Sequence, residues 1–131
     1  MVLIKMVRSR RLRTKAIDVK KVEKQLKSLI EGNRYREAVI FSYQIFIELI
    51  KGHLNKAPTK SQTYREFIMN IIKETKLDPT LVYPFTTLYE EARYSLHSIS
   101  PIIYSDANRM FGKLFQLIVG EIVKIEIPVS N

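Results

Sequence analysis

The chain has 131 residues, a formal net charge of +9 and no cysteine, which excludes disulfides, cysteine-ligated zinc and thiol nucleophiles together. That length suits one domain, able to bury roughly two-thirds of its unfolded-chain surface without a covalent staple. The charge is uneven: Lys5, Arg8, Arg10, Arg11, Arg13 and Lys15 put +6 into the first fifteen residues with no acid among them, so the basic character belongs more to a tail than to a folded face.

Val2 to Val7 (VLIKMV) is β-prone and is followed by the basic run RSRRLRTK. No stretch approaches the ~20 apolar residues a membrane span needs. The charges follow the short apolar run rather than precede it, unlike a signal peptide. The expectation is a cytoplasmic protein whose residues 1–17 form a basic tail. Through Arg8, Arg10, Arg11, Arg13 and Lys15 that tail suits nucleic acid or an anionic lipid surface.

The first helix is expected from about Asp18, a fair N-cap, to Glu31. Val19, Val22, Leu26 and Leu29 fall on one face of a 3.6-residue period. Gly32-Asn33 then permits a tight reversal. The next stretch, Arg34 to Leu54, is apolar on nearly every side. Its polar positions Glu37, Gln44, Glu48 and Lys51 keep to one narrow stripe, and a helix of that kind must be surrounded by others. Phe41 shares the polar stripe. Either another helix covers it, or it marks a contact with a second subunit.

Gly52 to Asn55 and Pro58 end the central helix. Thr63 and Glu66 have capping-box spacing, and Phe67, Ile68, Ile71 and Ile72 give the third helix its apolar face, to about Lys76. Asp78-Pro79 opens a fourth helix with Leu81, Phe85, Leu88 and Ala92 on one face. Pro84 predicts a kink or short break within it. Tyr94 to Ser100 reads as a loop. Ser100-Pro101 starts a last helix reaching about Lys124, with a stripe of Ala107, Met110, Leu114, Leu117 and Ile118. Val123 to Val129 alternates like a strand, and could pair with VLIKMV.

These elements predict a single all-α domain, an antiparallel four- or five-helix bundle over residues 18–125. Short, possibly β-like termini flank it, with a C-terminal tail at 126–131.

Reactive side-chain types gather once, at Glu90, Glu91, Arg93, Tyr94 and His97. Arg93 and His97 read functionally as an acid/base and phosphate-binding pair for RNA cleavage. Read structurally, Arg93 pairs a carboxylate such as Glu90 one turn earlier, and the Tyr94 hydroxyl anchors the loop. His53 suits the C-terminal end of the central helix as a favourable charge. No second His stands at metal spacing, no Gly-rich loop offers a phosphate cradle, and no Ser has a nucleophile-elbow context. The reading therefore names no metal, no cofactor and no catalytic residue, with Arg93 and His97 as the alternative.

The run Gly32-Asn33-Arg34-Tyr35-Arg36-Glu37-Ala38-Val39, then Thr63-Tyr64-Arg65-Glu66-Phe67, then Leu88-Tyr89-Glu90-Glu91-Ala92-Arg93-Tyr94-Ser95 with Asp106-Ala107 beyond, resembles a domain of unknown function. It is the small helical domain at the C-terminal end of many archaeal and bacterial membrane-anchored transglutaminase-like proteins. The resemblance covers about residues 18–122 and implies a helical fold without an assigned activity. The order and spacing of the motifs carry it, rather than any one motif. A second resemblance is to helical bundles of the HEPN type, several of which cut RNA. Their motif is Arg, four to six residues, then His, whereas three residues separate Arg93 from His97 here. The expected function is a non-catalytic interaction module that pairs with itself, as a homodimer, or with a partner protein. The alternative is HEPN-like nucleic-acid binding or RNA cleavage through the basic tail and Arg93/His97.

Overall fold

Local chemistry sets the helix boundaries. Asp18 accepts from the backbone N–H groups of Lys20 and Lys21, occupying donors that a helix start leaves open. Thr63 and Glu66 form the reciprocal capping box. Asp78 accepts from the Thr80 N–H, with Pro79 in the first turn behind it. The computed structural model describes residues 17–119. Within them lie five helices: α1 (Val19–Glu31), α2 (Tyr35–Leu54), α3 (Tyr64–Glu74), α4 (Pro79–Tyr94) and α5 (Pro101–Val119). The protein is an all-α bundle, with no strand among the described residues. The basic run Arg8–Lys15, the alternating segment 123–129 and the expected end of the last helix at Lys124 lie outside the described residues.

The α1–α2 reversal uses a different residue from the one its composition suggests. Asn33, with φ 58°, takes the left-handed conformation, while Gly32 stays at φ −91°. The Asn33 N–H reaches the Ile30 carbonyl and the Arg34 N–H reaches that of Leu29. That is the Schellman pattern, which closes the last carbonyls of α1.

Helix α2 is the centre of the bundle. It packs against α1, α4 and α5; α4 also packs on α5, and α3 attaches through α4. Its expected polar stripe is exposed at Glu37, Gln44 and Glu48 and half-exposed at Lys51. The rest of its surface faces the core, with Tyr43, Phe46, Ile47 and Ile50 almost wholly buried. Aromatic rings run through that core. Tyr43 stacks on Tyr89 at 4.4 Å between ring centroids, and Phe46, Phe85, Phe111 and Phe115 continue the contact edge to face or tilted. Such pairs add to the stabilisation from burial alone. Polar groups inside are matched: the Tyr43 hydroxyl meets the Thr86 hydroxyl at 2.7 Å, and Thr86 also donates to the Val82 carbonyl. Every buried side-chain nitrogen and oxygen among the described residues has a partner.

Two expectations about faces change, and one about a break. Helix α4 runs unbroken through Pro84. The carbonyl that loses its donor there belongs to Thr80, an exposed position in the first turn, where solvent can hydrate it. The buried face of α4 is Val82, Phe85, Thr86, Tyr89 and Ala92, with Leu81 and Leu88 only half-buried. Tyr89 is drawn inward by its stack on Tyr43. On α5, Leu117 is 58 % exposed and Met110 half-buried. Tyr104, Phe111 and Phe115 fill that side instead, because larger rings at adjacent positions rotate the stripe.

Candidate binding groove

The two cations expected at the α4 end part company. Arg93, in the last turn of α4, is exposed, with its guanidinium 5.9 Å from the centroid of the Tyr94 ring. It has no carboxylate partner among the described residues, contrary to the structural expectation. The reason is competition: Arg65 of α3 takes Glu90 through two parallel hydrogen bonds of 2.9 Å, and adds a third to the Thr87 hydroxyl. A two-pronged guanidinium–carboxylate pair outmatches a single contact along one helix. Glu90 in turn raises the Arg65 pKa above its ordinary value. His97 lies beyond the helix, largely exposed, with Nδ1 3.7 Å from Glu91.

The loop bearing His97 is not anchored by the Tyr94 hydroxyl, as expected; Tyr94 is 74 % exposed. Arg36 of α2 does that work. One terminal nitrogen of its guanidinium donates to the backbone carbonyls of Ala92 and Ser95, and the other to that of His97. The Ala92 carbonyl is one that a helix end leaves without an intrahelical donor, the other two belong to the cap and the loop beyond it, and a cation there also suits the helix dipole. The Ser95 hydroxyl adds a bond from the His97 N–H. The loop is thus tied from both sides, and it holds Leu96 with its whole side chain in solvent (100 % exposed).

Between the start of α3 and the end of α4 lies an open groove of about 790 Å³. Lys60, Ser61, Gln62 and Thr63 form one side, and Tyr89, Glu90, Arg93 and Tyr94 the other, with Tyr64 and Arg65 between. Its charge is three cations against one acid, and that acid is already bound to Arg65. Tyr64 and Tyr89 lie tilted at 5.6 Å, and Tyr43 packs against both, stacked on Tyr89 at 4.4 Å and 5.9 Å from Tyr64. Burial pushes the Tyr89 phenol up, and the nearby Arg93 pulls against that shift.

Arg93 lies in this groove; His97 does not line it. Phe41 is elsewhere: half-buried, it borders a shallow groove of about 380 Å³ with Ile17, Val22, Gln25 and Ile45. Helix α1 therefore flanks Phe41, while the polar residues Glu37, Gln44 and Glu48 of its stripe stay exposed. The basic-tail residues Arg8 to Lys15 lie outside the described residues. His53 is half-buried near the end of α2, with Nδ1 3.3 Å from the Leu49 carbonyl. No group of three or more His, Asp or Glu side chains arranged to hold a metal is found among the described residues. No helix among them is long and apolar enough to cross a membrane.

Sequence reasoning passed over Arg36, Lys60, Tyr64 and Arg65. Arg36 and Arg65 were visible only as letters in the motifs of the family resemblance, and their partners lie 56 and 25 positions away. Comparison of the chain with protein-family models, with curated proteins and with solved structures finds no match.

Proposed function

We propose that the protein is a non-catalytic helical interaction module, acting in the cytoplasm and pairing with itself or with a partner protein. The observation that carries the reading is Leu96, fully exposed on a loop fastened by Arg36. An apolar side chain held out on an ordered loop binds without first losing the loop's conformational freedom. Tyr94 and Ile102, each 74 % exposed, lie close to it in sequence. The absence of cysteine fits a reducing compartment, and the likeness to a helical domain without an assigned activity agrees with a binding role.

Size-exclusion chromatography with light scattering tests the pairing. Concentration-dependent dimers that Leu96→Glu abolishes are the expected result. A wild-type protein that stays strictly monomeric at high concentration removes self-pairing. Chemical cross-linking to a co-purified protein, lost in Leu96→Glu, is what the partner form then requires.

A second reading, HEPN-like nucleic-acid binding or RNA cleavage, is favoured by one observation: Arg93 lies in a groove with Lys60 and has no ion pair among the described residues. It predicts RNA binding that weakens with salt and fails when residues 1–15 are deleted. Cleavage that is equal in wild type and His97→Ala removes the catalytic form of this reading. Liposome sedimentation with the same deletion separates attachment to anionic lipid through the tail.

A further inference from the structure

Resting on the interaction-module reading, we propose that the groove between α3 and α4 is a docking site for an acidic peptide segment of a partner protein, with its carboxylates held by Lys60 and Arg93. Charge carries the first step. Arg65 and Glu90 neutralise each other inside the groove. Lys60 and Arg93 remain, both exposed and neither within ion-pair distance of a carboxylate among the described residues. Two cations lining one concave site, neither paired with a carboxylate among the described residues, call for an anion.

The tyrosines decide which kind of anionic partner fits. Single-stranded nucleic acid is bound by stacking its bases on open aromatic faces. Here Tyr89 is 7 % exposed, its ring stacked on Tyr43 with Tyr64 beside both. Tyr89 therefore offers the groove no open face for a base, and Tyr64 is half-buried. Phenol and guanidinium N–H and O–H donors suit carboxylates and peptide carbonyls. Tyrosine and arginine are also the residue types that dominate protein-binding energetics. Tyr94, 74 % exposed, is a single open ring at the rim, short of the run of stacking faces that a nucleic-acid strand uses, and it supplies an apolar surface for a neighbouring aliphatic side chain. The volume, about 790 Å³, lies in the range of sites that enclose small ligands, enough for a few peptide residues.

The test is a titration of the isotope-labelled full chain with a short peptide alternating Glu and Leu, followed by amide chemical shifts. Expected are saturable shifts centred on Tyr64, Arg65, Arg93 and Tyr94. Arg93→Glu weakens the peptide about tenfold, as reversing a charge at a carboxylate contact does. His97→Ala leaves the affinity unchanged. Arg93 is exposed and makes no ion pair among the described residues, so the variant is expected to keep the wild-type fold, which its own spectrum verifies; Lys60→Glu, in a loop, gives the second measure. No saturable shift, shifts confined to residues 1–15, or an affinity indifferent to both charge reversals overturns the proposal. So does an oligouridine that occupies the same groove more tightly than the peptide. Failure here leaves the Leu96-dependent pairing measured by light scattering untouched, so the two readings fail separately.

Discussion

Arg36 donates to the backbone carbonyl of His97, 61 positions further along the chain. The histidine that looked like a chemical group is held by its main chain, and its imidazole is left outside the groove beside Glu91. Removing the clamp leaves three carbonyls, at the α4 end and in the loop after it, without their charged donor. Arg36→Ala is expected to lower the unfolding free energy by about 2–3 kcal/mol, and Arg36→Lys to recover less than half, since an ammonium lacks the planar fork. Urea denaturation measures the first effect, and faster amide exchange at Leu96 and Ser98 localises it. Equal stability in Arg36→Ala and wild type would mean that the loop is held by other contacts.

Gly112 sits in the body of α5, where a methyl group would meet no atom within 4 Å. Glycine inside a helix costs about 0.5–1 kcal/mol relative to alanine. Gly112→Ala should therefore raise stability by that order, seen as a melting temperature a few degrees higher. A lower melting temperature would show that a close neighbour occupies this face.

Burial raises the pKa of the Tyr43 and Tyr104 phenols, and of Tyr89 to a lesser degree. A phenol raised above its unfolded value, about 10, binds its proton more tightly in the folded protein. The stability it contributes is complete below pH 10 and is lost as pH climbs from there towards the raised values. The slope is about 1.4 kcal/mol per pH unit for each such group. Unfolding free energies should be insensitive to these tyrosines at neutral pH and fall above pH 10, more shallowly in Tyr104→Phe. A slope unchanged in that variant would remove Tyr104 from the account.

Arg65 and Glu90 are 35 % and 37 % exposed at their side chains, so solvent screens the pair despite its two-pronged geometry. A double-mutant cycle with Arg65→Ala and Glu90→Ala should give a coupling of about 0.5–1 kcal/mol. The value should shrink in molar salt. A coupling indifferent to salt would indicate that packing of the side-chain stems, rather than charge, joins α3 to α4.

The helices were legible because their signals are local. Asp18, the Thr63–Glu66 box and Asp78-Pro79 act within a turn of themselves, and the apolar excess of the central helix requires no knowledge of its neighbours. Errors of face arose where a distant ring intervened: Tyr89 turns inward because Tyr43 is there to receive it. The turn at Gly32-Asn33 was placed correctly, but Asn33 rather than the glycine adopts the positive φ. Asparagine tolerates that conformation, and residue type alone does not choose between two permissive neighbours.

The candidate site was less legible. Arg93 was found by residue type. Its lack of an ion pair among the described residues was not, since Glu90 stands one turn away and is claimed by Arg65 from another helix.

Sequence alone determined that this chain is helical, where its helices begin, and that Arg34 to Leu54 would be the rod the others enclose. Capping and periodicity act over a few residues, which is why one strand of text contains them. Only the tertiary structure decided how the cations divide: Arg36 spent on backbone carbonyls, Arg65 on Glu90, and Arg93 with Lys60 left facing an open groove. Those assignments depend on distances between helices, set by the packing of Tyr43, Phe85 and their neighbours, and no spacing along the chain encodes them.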